Sequence, residues 1–81
     1  MADFKYEVKQ NIGKLSSGRS GWNREVNMVS WNENPAKLDI RDWAPEHAKM
    51  SKGVSLNYEE ASILREILNE VNLDELFESE A

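Results

Sequence analysis

The sequence predicts an α+β domain in which four successive strands are followed by one helix, β-β-β-β-α. Phe4, Tyr6 and Val8 alternate with Lys5, Glu7 and Lys9, and Leu38 and Ile40 alternate with Lys37, Asp39, Arg41 and Trp43. That period of two belongs to strands with unlike faces. After Asn57 the spacing lengthens, and Ala61, Leu64, Leu68 and Val71 line up as a helical stripe, widened by Ile63 and Ile67. Turn-forming clusters separate these segments, the clearest being Ser-Ser-Gly-Arg-Ser-Gly at 16–21 and Asn-Glu-Asn-Pro at 32–35.

The first strand is expected to run towards Leu15, with a bulge near Gly13, because Ile12 keeps the early parity and Leu15 breaks it. The second runs from about Trp22 to Trp31. Trp22, Val26 and Met28 share one side of it and Asn23, Glu25, Asn27 and Trp31 the other, with Val29 an exception on the polar side. The 32–35 turn leads to a third strand, Ala36 to Trp43. Residues 44–52 read as a loop, opened by a proline that cannot continue a ladder, and Gly53 to Leu56 form a short fourth strand. Asn57 is a good helix N-cap, and Glu60 three residues on completes a capping box. The acidic ending contains Leu73, Leu76 and Phe77 and reads as a tail or short helix. Residues 1–72 are thus expected to form the domain, with 73–81 an acidic extension.

With 81 residues the chain is a single small domain, for which a partner subunit is a natural source of extra burial. It has no cysteine, which excludes disulfides and thiolate metal sites and suits a reducing cytoplasm. No apolar run approaches the roughly 20 residues needed to cross a bilayer, and no signal-peptide pattern opens the chain, so neither membrane nor export is expected. The net charge of −5 is unevenly spread. Residues 1–56 carry nine Lys and Arg against seven Asp and Glu, a net +2; residues 57–81 carry one arginine against eight carboxylates, a net −7. Acidity belongs to the C-terminal part, and overall charge does not exclude a basic patch on the sheet.

Parity suggests where such a patch lies. Trp43 shares a strand face with Lys37 and Arg41, opposite Leu38 and Ile40, and Trp31 lies opposite Val26 and Met28. If the strands pair across the 32–35 turn, two indoles, a guanidinium and an ammonium meet on the solvent side. Lys9 joins from the first strand, and Lys49 and Lys52 line the rim. Exposed rings stack on bases of any sequence, and cations neutralise the backbone, so the pattern suits single-stranded nucleic acid. Taken singly, a tryptophan in a small domain is more often core, and Trp22 is expected to be so. Asp39 and Asp42 dilute the patch, and Lys37 and Arg41 alone would describe only a solvated face.

Asp39-Ile40-Arg41-Asp42-Trp43, the loop Lys49-Met50-Ser51-Lys52, and Gly53-Val54-Ser55-Leu56-Asn57 entering a helix together resemble the transcriptional coactivator family of positive cofactor four. The likeness covers residues 22–71, and the whole chain looks closer still to bacterial members of that fold. It implies a strongly curved four-stranded antiparallel sheet with one C-terminal helix, paired as a two-fold dimer. It further implies binding of single-stranded DNA on the sheets and action in transcription. By position Arg41 matches the family's strand arginine and Lys52 its loop lysine. Lys49 and Trp31 match a basic and a stacking position across loops of different length, and Arg24 falls near a family basic residue despite its opposite parity. Trp43-Ala44 stands where the family has two aromatics. The helix's surplus apolar width agrees with a dimer through Leu64, Ile67, Leu68 and Val71.

Catalysis is not expected. The one histidine, His47, lies in a loop, and no phosphate loop, zinc spacing or nucleophile–base arrangement occurs. No cofactor is implied. The competing reading is a protein-interaction adaptor, whose acidic, apolar C-terminus docks on a basic partner such as transcription machinery; RNA is a further target, since stacking tolerates both sugars.

Overall fold

A computed structural model describes residues 5–78. Four strands, β1 (Tyr6–Ser17), β2 (Asn23–Trp31), β3 (Lys37–Trp43) and β4 (Val54–Leu56), form one antiparallel sheet in chain order. The helix α1 (Tyr58–Glu70) follows, then a short α2 (Leu73–Leu76). The predicted class and order hold. The first strand extends to Ser17, and the 44–52 loop opens with a 3-10 turn, Pro45–His47.

Each junction has a local cause. Gly21 takes φ 86° in the turn after β1, a region that costs glycine little. Asn32 and Glu33 take φ 52° and 67° between β2 and β3, closed by Asn34 N–H donating to the Trp31 carbonyl at 2.9 Å. The expected capping box is present: Asn57 Oδ1 accepts from Glu60 N at 2.8 Å, and Glu60 Oε1 accepts from Asn57 N at 3.0 Å.

The bulge foreseen near Gly13 is one of three. Register slips between Val8 and Gln10, between Asn11 and Gly13, and between Lys14 and Ser16. Lys9, Ile12 and Leu15 are therefore the extra residues, one at every third position. Each bulge bends its strand and increases its twist, so the sheet coils strongly. One contact shows how far. Tyr6 pairs with Trp31 and Asn23 with Trp43, at opposite ends of β2, ends that a flat strand would hold about 26 Å apart. Yet the Tyr6 ring lies 5.7 Å from the rings of both Trp31 and Trp43.

Coiling closes one face on itself. This inner face carries, in successive rows, Tyr6 with Trp31, Val8 with Val29 and Lys37, then Asn11, Asn27, Asp39 and Ser55. Lys14, Glu25 and Arg41 follow, and Asn23 with Trp43 ends it. Val29, Trp43, Asn27 and Asp39 are all 0% exposed. The opposite, outer face holds Val26, Met28, Leu38 and Ile40, which are only half-buried, Met28 and Leu38 beside Tyr58 and Ala61 of α1. Sequence parity grouped the residues correctly but assigned the interior to the wrong group. Val29, the exception on the polar side, belongs there because that side is the core. Trp22, expected in the core, is half-buried.

The helix uses Ala61 and Leu64, both half-buried, against the sheet, where Met28, Leu38, Leu56 and Tyr58 line the groove. Ile63, Ile67, Leu68 and Val71 remain exposed, as do Leu73, Leu76 and Phe77 beyond. At roughly 25 cal/mol per Å² of apolar surface, this stripe is a large unused driving force for association.

Candidate nucleic-acid interface

The inner face is built as a closed circuit around Asp39. Its Oδ1 accepts from Arg41 Nε at 2.6 Å, and its Oδ2 accepts from Arg41 Nη2 at 2.7 Å and from Ser55 Oγ at 2.7 Å. Ser55 Oγ in turn accepts from Trp31 Nε1 at 3.1 Å. The Arg41 guanidinium returns over the Trp31 ring, 4.5 Å from its centroid. A cation held over an indole contributes about 0.5–2 kcal/mol, more as water is excluded. Arg41 also donates from Nη1 to the Ser51 carbonyl at 3.1 Å, tying the end of the loop to β3.

Two expectations are corrected by this geometry. Strand parity puts Trp43 on the solvent side; it is fully buried. The coil that brings Tyr6 to it and the His47 ring stacked on it at 4.1 Å leave no room for a base. Its Nε1 has no hydrogen-bond partner among the described residues. Parity makes Arg41 an open cation, but its side chain is 13% exposed and its fork is taken by Asp39. Asp39, read as diluting the patch, instead orients Arg41 from within the core.

The other predicted positions divide by location. Trp31 is half-buried, its indole held by Arg41 and Ser55 beside Tyr6. Lys9, Lys37, Lys49 and Lys52 are exposed. Arg24, on the outer face as parity required, pairs with Asp42 at 2.8 Å and lines one cleft with Arg41, Lys52 and Gly53. The hydrogen bond from Arg24 holds the Asp42 carboxyl below its ordinary value. Lys9 is 3.1 Å from Glu7, an exposed pair worth little. Lys37 borders the groove at the start of α1.

Gly53 permits the cleft. A Cβ there would run into the Arg41 Cβ and the Ile40 carbonyl oxygen, so only glycine lets β4 approach β3 so closely. Sequence reasoning missed three contributors. Tyr6 joins Trp31 and Trp43 through the β1 bulges, and its position alternating with Lys5 and Glu7 was the available signal. Ser55 and the Glu25–His47 pair left no such trace, because a coiled sheet brings together residues that a flat one separates. Among the described residues no group of three or more His, Cys, Asp or Glu is placed to hold a metal, and no helix is long and apolar enough to cross a membrane.

Comparison with known proteins agrees with this architecture. The family model described as Transcriptional Coactivator p15 (PC4) matches residues 19–67. An uncharacterized protein of Treponema pallidum (strain Nichols) is 49% identical over 72 residues, which span 89% of this chain and 85% of the relative.

Proposed function

We infer the function from one premise: the chain belongs to the Transcriptional Coactivator p15 (PC4) family. That family suggests a nucleic-acid-binding, non-enzymatic protein that engages single-stranded DNA in a transcription-coactivator-like role. On this reading a strand crosses the open rim of the coiled sheet. Bases stack at Trp31, and Lys9, Lys37, Lys49 and Lys52 neutralise phosphates, with Arg24 and the remaining donor capacity of Arg41 at the cleft beside Lys52. Trp43 supports the surface from beneath. A duplex hides its base faces, so melted DNA is preferred, with little sequence specificity.

The observation that carries this reading is the half-buried Trp31, clamped by Arg41 and Ser55. An indole already immobilised loses little entropy when a base lands on it. The exposed apolar side chains Ile67, Leu68 and Val71, with the half-buried Leu64 beside them, support a homodimer in which two sheets lie side by side. Sedimentation showing a stable monomer at micromolar concentration would exclude it. We assign the chain to the cytoplasm, and treat residues 1–72 as the binding domain and 73–81 as its acidic extension.

The test is a titration of tryptophan fluorescence with oligothymidine, its RNA counterpart and a duplex, at two salt concentrations. Quenching by single strands, with a slope of about −0.7 per neutralised phosphate and a weak duplex response, is expected. No response to any of the three favours the adaptor reading, which the exposed Leu73, Leu76 and Phe77 among carboxylates support.

A further inference from the structure

The loop joining β3 to β4 carries two of the candidate phosphate-binding residues, Lys49 and Lys52, and its two halves are anchored differently. The far half is tied by Arg41 Nη1 to the Ser51 carbonyl, and by Ser51 N–H donating to the Asp42 carbonyl at 3.0 Å. The near half contains Glu46 and His47, both at φ 58°, a left-handed conformation that side-chain-bearing residues disfavour. Its backbone is closed by Ala44 N–H donating to the Lys49 carbonyl at 2.9 Å, and what reaches from it across the sheet is the imidazole. His47 Nε2 lies 2.9 Å from Glu25 Oε1 on β2, and the ring stacks on Trp43 of β3 at an interplanar angle of 15°.

Glu25 is itself well placed for this. Its side chain is 11% exposed, and the same Oε1 accepts from Asn27 Nδ2 at 3.2 Å and Asn11 Nδ2 at 3.4 Å. Its register partners are Lys14 on β1 and Arg41 on β3, the latter bound to Asp39. The carboxylate is thus oriented by neutral amides and presented to the imidazole.

We propose that His47 is a positioning residue for nucleic-acid binding: with Glu25 it clasps the near half of the loop and so presents Lys49 to phosphate. The inference rests on the single-strand-binding reading above. The clasp acts on affinity through the placement of Lys49, since the imidazole is taken up by Glu25 and Trp43. His47 is the chain's one histidine, so its substitution isolates the effect.

The experiment measures binding of a labelled oligothymidine by anisotropy, with the full chain, at several salt concentrations. His47→Gln and Glu25→Gln are each expected to weaken binding about three- to tenfold, and to flatten the salt slope by no more than Lys49→Ala does. His47→Gln and Lys49→Ala should be non-additive, while His47→Gln and Lys52→Ala should add, since Ser51 holds Lys52 independently. Wild-type affinity in both His47→Gln and Glu25→Gln overturns the proposal. So does additivity of His47→Gln with Lys49→Ala, the mark of a contact made without Lys49. If one variant fails to fold, the other carries the comparison. If the wild type does not bind, the single-strand reading fails by itself. The clasp is then read without DNA, from the Lys49 amide resonance in His47→Gln, and an unmoved Lys49 amide refutes it.

Discussion

Replacing Asp39 by alanine tests whether the polar inner face is the structural core. The carboxylate is fully buried and accepts three hydrogen bonds, two from Arg41 and one from Ser55. Removing it leaves a guanidinium that is 13% exposed without its counter-charge, and a serine hydroxyl without its acceptor. Breaking a buried pair in this way costs about 3–5 kcal/mol. A domain of this size is stable by roughly 4–12 kcal/mol in total, so the variant forfeits a large share of it. At about 4–8 °C per kcal/mol the expected fall in Tm is about 12–40 °C. The assay is thermal and urea unfolding followed by circular dichroism at fixed protein concentration, since association raises apparent stability. The double variant Asp39→Leu, Arg41→Met removes both charges together and is expected to recover most of the loss. An Asp39→Ala protein within about 0.5 kcal/mol of wild type, the range of ordinary surface substitutions, would refute the argument.

Four further outcomes are expected. Trp43→Ala should cost about 3–5 kcal/mol by melting; Trp43→Phe should cost much less, because it also removes an indole N–H that lacks a partner. Gly53→Ala should destabilise by about 1–3 kcal/mol, with amide exchange rising first in β4, since its Cβ meets backbone. Asp42 is held below its ordinary value of 3.8 by the Arg24 hydrogen bond. Its contribution is therefore present above that value and lost as pH falls through the lower folded one; Arg24→Gln should flatten this acid limb in urea midpoints. In DNA titrations Trp31→Ala should weaken binding by about 1–3 kcal/mol at every salt concentration with the slope unchanged, while Lys52→Ala should flatten the slope by about 0.7.

Element order, turns and the helix cap were legible because each rests on local chemistry: the Gly18–Gly21 turn, the residues 32–35, the Asn57–Glu60 box. The grouping of residues by face was legible too, since period two needs no knowledge of what lies above the sheet. Which face becomes the interior was not. That depends on curvature, set by three slips on β1 of which parity revealed one, at Gly13. On a flat sheet Trp43 and Arg41 would face solvent. On the coiled one Trp43 meets Tyr6 from the far end of the face and His47 from the loop, while Arg41 is taken up by Asp39, its neighbour on the same strand face. Of the candidate site, the sequence made legible the exposure of Lys9, Lys37, Lys49 and Lys52 and the partial exposure of Trp31. The site was not legible where a residue's role depends on a distant partner, as for Ser55, Glu25 and His47.

The rhythm of slips along β1 also bears on self-templating. β1 is a border strand of twelve residues whose outward side has no neighbour within the sheet, and a straight border of that length invites fibril growth by strand addition. Here no run of more than three residues keeps regular pairing before the next slip, so an incoming chain finds no long flat row of amides to copy. The opposite border, β4, is only three residues long. The same irregularity that closes the inner face thus keeps concentrated molecules from zipping together.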